Sequence, residues 1–187
     1  MRDSELVRRI LGGDRAAGER LVTEHYPRVC RFLRHLTRHP EEAEHLSQQT
    51  FVNAWRALSD FRGQSSLATW LHRIAYHAYT HHVRAHQEHA PLEAVQTSAG
   101  PEARMVDAVL LHGALAQLSA EHRSTFLLHY VQGFSVSEVA AILDIAEGTA
   151  KSRLYSARQR LRELLSETEE AVPGGLPEAN RPYEAAR

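Results

Sequence analysis

Basic and small polar side chains crowd one segment near the end of the chain, at 147–162. Five cations and one anion give this segment a local charge of +4. The cations are Lys151, Arg153, Arg158, Arg160 and Arg162. Lysine and arginine hold phosphates and donate hydrogen bonds to base edges, and short hydroxyl side chains contact several base groups. The residue types therefore indicate contact with nucleic acid.

Capping signals predict the helices that would position this segment. Ser119 can begin a first helix, which Gly133 can end in a left-handed turn. Ser135 followed by Glu138 is a capping box for a short second helix. Residues 144–146 form a turn of the length that joins two crossed helices, and the basic segment begins the third helix.

The third predicted helix has one apolar face and one polar face. Its inward residues, at spacings of three and four, are Ala150, Leu154, Ala157 and Leu161. Its exposed face carries Gly148, Lys151, Ser152 and Tyr155, with Thr149, Arg153 and Ser156 beside it. A short helix, a tight turn and a basic helix are typical of a helix-turn-helix, whose second helix enters the major groove. The alternative is an ordinary helical hairpin with a solvated basic face.

Histidines are concentrated on another predicted helix and its end: His72, His77, His81, His82, His86 and His89. Two of their i, i+4 pairs, His77/His81 and His82/His86, have a spacing able to hold zinc. The helix carries no HExxH motif and no nearby cysteine. We interpret the cluster as an exposed helix end, where charge gained below about pH 6.5 strengthens phosphate contacts. No metal and no cofactor are predicted.

The overall charge of −1 hides an uneven distribution. After the basic helix, residues 163–187 hold six acids and two arginines, a balance of −4. Cys30 is the single cysteine, which excludes an internal disulfide and a cysteine metal cluster. No apolar run approaches the ~20 residues of a membrane span, and the first eleven residues lack the apolar core of a signal peptide. We therefore expect a cytoplasmic chain without membrane insertion.

The periodicity predicts an all-α fold of two small helical domains joined by a flexible linker. Asp3 or Ser4 can cap a first helix, and Asp14 can cap the second. Pro27 should kink or interrupt that second helix, whereas Pro40 suits the first position of the third. The expected boundaries are a domain at 1–88, a linker at 89–104, a domain at 105–166 and a disordered acidic tail at 167–187.

Two separated segments resemble one family. Residues 43–77, AEHLSQQTFVNAWRALSDFRGQSSLATWLHRIAYH, are similar to region 2 of a bacterial sigma factor, and the segment 118–165, ending in EGTAKSRLYSARQRLRELL, resembles region 4. The segment ILGGDRAAGERLVTEHYPRVCRFLR also fits. Only a short linker separates the two regions, which resembles the extracytoplasmic-function (ECF) class of the sigma-seventy family.

This resemblance implies a promoter-specificity subunit of bacterial RNA polymerase rather than an enzyme. Such a chain binds core polymerase, through the clamp helices of the largest subunit and the flap. It reads the minus-thirty-five element of promoter DNA with region 4, and melts and reads the minus-ten element with region 2. An anti-sigma factor is expected to hold it inactive until a signal frees it.

The resemblance also assigns residues to each surface. The upstream element is assigned to Gly148, Thr149, Lys151, Ser152, Arg153, Tyr155, Ser156 and Arg158. The minus-ten element is assigned to Phe61, Arg62, Gly63, Gln64, Ser65, Arg73, Tyr76 and His77. Core polymerase is assigned to Glu44, His45, Gln48, Gln49 and Asn53. Cations beside aromatic faces suit unstacked single strands, and a flipped base needs a pocket. Trp70 lies on the apolar face and is interpreted as a core residue.

The sequence departs from the family pattern at a few of these positions. His45 and Gln49 stand where the family usually carries acids, which removes two carboxylates from the predicted polymerase-binding face. Ser156 replaces a common arginine, Ala150 a usual valine, and His77 a common asparagine.

Two other classes of function are the alternatives. One is a stand-alone helix-turn-helix regulator whose N-terminal half senses a ligand or dimerises. The other is an enzyme, but the sequence lacks a phosphate loop, a dinucleotide glycine pattern, a Ser-His-Asp arrangement and a metal motif.

Overall fold

The structure, a computed structural model, describes residues 2–37, 39–87 and 113–171. Within these ranges the chain forms helices and turns and no strand, which confirms the predicted all-α fold. The predicted linker at 89–104 and most of the acidic tail lie outside the described residues.

Helix α1 spans Arg2–Leu11 and ends at two glycines, of which Gly13 adopts a φ of 88°. The helix begins before Asp3, so the prediction that Asp3 or Ser4 caps it is wrong. The Asp3 carboxylate instead accepts a hydrogen bond, 2.7 Å long, from the backbone N–H of Leu67. It therefore satisfies a free donor at the start of a later helix, a long-range contact that local spacing does not reveal.

Helix α2 spans Arg15–Thr37. Its predicted cap is confirmed, because Asp14 Oδ1 accepts from the backbone N–H of Ala17 at 3.1 Å. This bond and the Arg9 guanidinium lower the pKa of Asp14. The helix continues through Pro27, so the expected interruption is wrong. A proline destabilises a helix interior by about 3 kcal/mol. Burial of each large apolar side chain beyond it stabilises the fold by about 1.5–3 kcal/mol. Those side chains are Val29, Phe32 and Leu33.

Helix α3 spans Pro40–Arg56 and helix α4 spans Leu67–Gln87, with a 3₁₀ turn at Leu58–Asp60 between them. Pro40 occupies the first turn of α3, as predicted. Helices α2, α3 and α4 pack against one another and α1 packs on α2. The resulting core buries Phe32, Leu36, Leu46, Leu71 and Ala75.

In the described part of the second helical unit, residues 113–117 are helical and are followed by helix α5 at Ala120–Phe126. Ser119 caps α5 by accepting from the N–H of His122 at 3.3 Å, as predicted. A π-helical turn at Leu127–Val131 extends the helix. Gly133, with a φ of 78°, ends it in the expected left-handed conformation.

Helix α6 spans Val136–Leu143 and helix α7 spans Glu147–Ala171. Both bonds of the Ser135–Glu138 capping box are present, which confirms the start of α6. Asp144 ends α6 with a φ of 56° and turns the chain into α7. Helix α7 continues through 167–171, where a disordered tail was expected. These residues contain no glycine or proline, so nothing in their backbone ends the helix there.

His72 lies where the two units meet and is 0% exposed. Its ring packs between Phe32 and Phe134, with centroid distances of 5.5 and 4.8 Å, and Nδ1 lies 2.8 Å from the Ala68 carbonyl oxygen. The interpretation of the histidines as an exposed helix end is therefore wrong for His72. Burial lowers the pKa of His72 to about 4, because a charged imidazole would lose its hydration, although the Ala68 carbonyl partly opposes this.

This burial predicts a pH-dependent stability. The unfolded imidazole gains a proton below about pH 6.5, whereas folded His72 stays neutral down to about pH 4. Folding stability is therefore present above this window and falls as the pH drops through it. The loss should reach roughly 2 kcal/mol by about pH 5.

Urea denaturation of the wild type and the His72→Phe variant at about pH 7 and about pH 5 measures this loss. The variant should lose less free energy of unfolding than the wild type. A His45→Gln variant, which removes an exposed histidine, should behave like the wild type. Equal losses in the wild type and His72→Phe would contradict the assignment.

Candidate nucleic-acid interface

The first turns of α7 present the predicted reading face. Gly148, Lys151, Ser152 and Ser156 are exposed, and Tyr155 is 66% exposed. The opposite side is buried against α5 and α6 through Ala150, Leu154, Ala157 and Leu161. The helix phase expected from the sequence is therefore confirmed.

Hydrogen bonds hold parts of this reading face in place. Ser152 Oγ donates to the Thr149 carbonyl at 2.9 Å, and Gln159 Nε2 donates to the Tyr155 hydroxyl at 3.0 Å. Among the ion pairs of the described residues, Lys151 takes part in none. Its ammonium is therefore available to an external acceptor, while the tyrosine ring is oriented by its neighbour.

The arginines of α7 differ in their surroundings. Arg153 lies 2.7 Å from the Glu121 carboxylate of α5, and its side chain is only 19% exposed. Arg160 pairs with Glu163 at 3.0 Å, whereas Arg158 is exposed. Among the residues predicted to contact the upstream promoter element, Arg153 is therefore already paired with an acidic side chain of the same chain. The sequence could not reveal this pair, because Glu121 is 32 residues away.

The predicted base-capturing loop follows the 3₁₀ turn. Phe61 is half-buried and meets the Trp70 ring edge-on at 5.5 Å. Arg62 and Gln64 are exposed, and Ser65 is half-buried. Trp70 is itself half-buried and packs at the border of the core, so its interpretation as a purely internal residue is only partly correct.

Gly63 is required at its position in this loop. Its φ is 67°, and a Cβ there would lie 2.6 Å from Ser4 Oγ of α1. Both the left-handed backbone and the close approach favour a residue without a side chain. The tip of the loop therefore lies close to Ser4 of α1.

Helix α4 supplies the remaining minus-ten candidates. Arg73 lies 3.6 Å from the Asp144 carboxylate of the second unit. Tyr76 is half-buried, and burial raises the pKa of its hydroxyl. Ser124 and Arg153, also of the second unit, lie close enough to influence that pKa. Arg73 and His77 are exposed, whereas Tyr76 is half-buried beside the other unit.

The predicted polymerase-binding residues share one face of α3. Glu44, His45, Gln48 and Gln49 are exposed, and Asn53 is half-buried. Gln48 Nε2 donates to Glu44 Oε1 at 3.3 Å, and Gln49 Nε2 donates to Asn53 Oδ1 at 3.0 Å. These side chains therefore form two hydrogen-bonded i, i+4 pairs along the surface.

Tyr26 of α2 contacts this face of α3, which the sequence did not indicate. Its hydroxyl donates to Glu44 Oε1, and this hydrogen bond lowers the pKa of Glu44. Burial, followed by the same hydrogen bond, raises the pKa of Tyr26. The sequence assigned Tyr26 to the apolar stripe of α2. Its spacing from α3 gives no signal for the contact, since the partners are 18 residues apart.

A groove of about 520 Å³ separates α3 from α4. Its polar lining residues are His45, Gln49, Asn53, His77, His81 and His82. The predicted polymerase-binding and minus-ten residues therefore line two walls of one groove. In the described part of the chain, no three histidine, cysteine or acidic side chains are grouped as metal ligands would be. No helix there is both long and apolar enough to cross a membrane.

The chain matches two family models in the order expected. Residues 21–89 match sigma-70 region 2, and residues 108–161 match sigma-70 region 4. It is 35% identical over 165 residues to the ECF RNA polymerase sigma factor SigM of Mycobacterium tuberculosis, an alignment covering 87% of this chain and 84% of that relative. The chain belongs to the ECF class of the sigma-70 family. The predicted function as a sigma factor, and not an enzyme, is therefore confirmed.

Other proteins and solved structures are also similar to this chain over most of its length. The RNA polymerase sigma-H factor of Pseudomonas aeruginosa is 27% identical over 180 residues, covering 87% of this chain and 93% of that relative. Among solved structures, the sigma factor RpoE in complex with the anti-sigma factor NepR, from Bartonella quintana, is 30% identical. It covers 79% of this chain and 96% of that one, with a TM-score of 0.70. CnrH, solved with the cytosolic domain of CnrY, shares the fold at 24% identity and a TM-score of 0.71, covering 88% of this chain and 97% of its own.

Gly63 gives a prediction for the loop of this sigma factor. Gly63→Ala should lower the free energy of unfolding by about 1–2 kcal/mol, because the new Cβ occupies a left-handed backbone and approaches Ser4. Thermal denaturation measures this loss. Gly148→Ala is the matched control, since nothing lies within 4 Å of its Cβ position and helices favour alanine. A Gly63→Ala variant as stable as the Gly148→Ala control would contradict the conformational requirement.

Proposed function

We propose that this sigma factor directs core RNA polymerase to a set of promoters, reading the upstream element with α7 and the minus-ten element with α4 and the 61–65 loop. The observation that carries the proposal is the two-sided character of α7. Its first turns expose Lys151, Ser152 and Tyr155 opposite a continuous buried seam. The proposal assigns 1–88 to region 2, 105–166 to region 4 and 89–104 to the linker between them.

Upstream recognition follows from the chemistry of the α7 face. Lys151 can donate to guanine acceptors, and Ser152 can contact several groups in the major groove. Tyr155, oriented by Gln159, offers a rigid aromatic edge. Arg158 is exposed on a neighbouring face, and we assign it to phosphate contact. Gly148, Thr149 and Ser156 complete the proposed surface, whereas Arg153 would first have to exchange Glu121 for a phosphate.

Capture of the minus-ten strand is proposed for the loop and the helix behind it. Phe61 and Trp70 form an aromatic pair beside exposed Arg62 and Gln64, a combination that suits an unstacked strand. His77 extends the surface along α4.

Core polymerase is proposed to dock on the exposed face of α3. Glu44 is held by Tyr26 and Gln48, so this carboxylate is oriented before a partner arrives. We assign the clamp helices of the largest subunit to this face and the flap to the second unit. Binding to polymerase places the protein in the cytoplasm.

An anti-sigma factor is the remaining proposed partner. The similar sigma factor of Bartonella quintana was solved with an anti-sigma factor bound, and the likeness extends over most of this chain. That similarity supports control by the same kind of partner. The combined proposal is tested by in-vitro transcription with purified core polymerase on a promoter library.

Substitution of the reading face should change promoter preference. Lys151→Ala should cost roughly 1–3 kcal/mol on preferred upstream elements and alter which sequences are preferred. Arg158→Ala is the matched control, because it also removes a cation but should weaken all sequences alike and reduce the salt dependence of binding. Holoenzyme binding to a promoter library with a randomised upstream element, at two salt concentrations, measures both effects. An unchanged sequence preference in Lys151→Ala would show that this face is not the reader.

The α3 face gives a separate prediction. Gln48→Ala removes a polar group from the docking face and one of the bonds that orient Glu44. We expect it to weaken binding to core polymerase several-fold in a competition assay. Gln64→Ala, which changes an exposed glutamine of the 61–65 loop away from the α3 face, should bind like the wild type when no DNA is present. If the two variants bind equally well, polymerase docks elsewhere.

A further inference from the structure

The groove between α3 and α4 is lined by imidazoles from both helices. Helix α3 contributes His45, and α4 contributes His77, His81 and His82. The groove has a volume of about 520 Å³, which lies within the range of small-molecule pockets. The sequence places three of these histidines on one helix, but the packing of α3 on α4 adds the fourth from the opposite wall.

The other lining residues make the charge of this groove depend on its histidines. Among the described residues that line it there is no acid, lysine or arginine. The rest of that lining consists of two amides and four apolar side chains: Gln49, Asn53, Leu46, Ile74, Ala78 and Ala85. Amides donate hydrogen bonds but carry no charge. The lining is therefore neutral when the imidazoles are neutral and cationic when they are protonated.

Charged side chains beside the groove are of both signs. Glu41 and Glu42 lie at the start of α3, and Glu42 Oε2 is 3.7 Å from His82 Nε2. On α4, Arg73 lies one turn before the histidines and Arg84 one turn after them. Helices α2 and α6, which also pack on α4, contribute no described residue to the lining. Two acids and two arginines balance, so protonation of the histidines decides the sign of the local charge.

Three of the four imidazoles have no carboxylate partner. His45, His77 and His81 are exposed and take part in none of the ion pairs of the described residues. A protonated imidazole donates from both ring nitrogens, and bonds from such cations to phosphate oxygens are strong. Like charges around one groove also disfavour one another's protonation. A bound anion removes that repulsion, so protons and a phosphate group favour each other's binding.

We propose that this groove is a phosphate-binding site whose occupancy is coupled to protonation of its histidines. The phosphate group can come from the backbone of a single DNA strand or from a free phosphate ion. The DNA source rests on the proposed function, which assigns His77 to the minus-ten element, whereas the site itself does not. Because imidazole is charged only below about pH 6.5, phosphate affinity is present below this pH and is lost as the pH rises through it.

NMR titration of the full chain tests this coupling through the imidazole C–H resonances. The two probes are a single-stranded minus-ten oligonucleotide and inorganic phosphate, at equal phosphate concentration. Each is added at about pH 6 and about pH 7.5, on either side of the ordinary imidazole titration. The lower pH is compatible with the fold, since burial lowers the pKa of His72 to about 4. Circular dichroism at both pH values confirms that the helices are retained.

Variants remove one imidazole from each wall. His45→Gln changes α3 and His81→Gln changes α4, and both keep a side chain that donates hydrogen bonds. Their resonances are assigned by their disappearance from the spectra of these variants. His39→Gln is the matched control, because His39 is an exposed histidine of region 2 that does not line the groove. The control also measures the general gain in affinity that follows when surface histidines become charged.

We expect the wild type to bind the oligonucleotide several-fold more tightly at the lower pH. The slope of log affinity against log salt should steepen by roughly 0.7 for each added phosphate contact. The double variant His45→Gln/His81→Gln should lose most of this gain, and His39→Gln should keep it. Bound phosphate should also keep the groove imidazoles protonated to a higher pH than in the free chain, since the coupling is reciprocal.

The two probes identify the source of the phosphate group. Shifts of the groove resonances with the oligonucleotide alone would assign the site to the DNA backbone, and equal shifts with inorganic phosphate would assign it to a free ion. Three results would overturn the inference: a wild-type affinity that is the same at both pH values, a double variant that gains as much as His39→Gln, or groove resonances that neither probe shifts. The proposed function fails separately, because transcription from the promoter library at neutral pH tests promoter recognition while the imidazoles are uncharged.

Discussion

The close packing of α7 through two alanines is the constraint on which the arrangement of region 4 depends. Ala150 and Ala157 are both 0% exposed, and their small side chains bring the helix axis near its neighbours. Together with Leu154 and Leu161 they form a buried apolar stripe. Only one rotational orientation of α7 about its axis buries all four side chains. A helix has 3.6 residues per turn, so this rotation also decides which polar residues face outward. The DNA-reading chemistry is therefore a consequence of core packing.

Local signals in the sequence predicted much of the helical framework. The caps at Asp14, Ser119 and Ser135 each form a bond within three residues, so the amino-acid spacing contains the information needed. The phase of α7 was equally local, because it depends on a repeat within one helix. For the same reason, the exposed members of the reading face were predictable residue by residue.

The errors, and the contacts that the sequence did not indicate, share a different origin. Asp3 caps a helix that begins 64 residues later, and Arg153 pairs with an acid 32 residues earlier. His72 is buried because a second unit covers it, and no pattern within α4 encodes that cover. The interruption expected at Pro27 is absent, since the burial that outweighs its cost involves other helices. Each case depends on which elements meet in space, which periodicity and capping do not specify.

The proposed docking face of region 2 combines a carboxylate with several side-chain amides. The proposed docking face of α3 carries Glu44 beside the amides of Gln48 and Gln49, and the hydrogen bond from Tyr26 lowers the pKa of the Glu44 carboxyl. We therefore expect hydrogen bonds to these amides to contribute to the proposed recognition of polymerase alongside charge. Such contacts are less sensitive to ionic strength than pairs of exposed charges.

The groove between α3 and α4 has a thermodynamic consequence for transcription initiation. His45 and Gln49 form one wall and His77 the other, so the proposed polymerase and single-strand contacts share a boundary. Two ligands that order the same groove are linked, and the factor by which one raises the affinity of the other is reciprocal. A sigma factor built in this way would hold separated DNA strands tightly only while it is part of the holoenzyme. The same coupling would make the melted promoter retain the sigma factor on its polymerase.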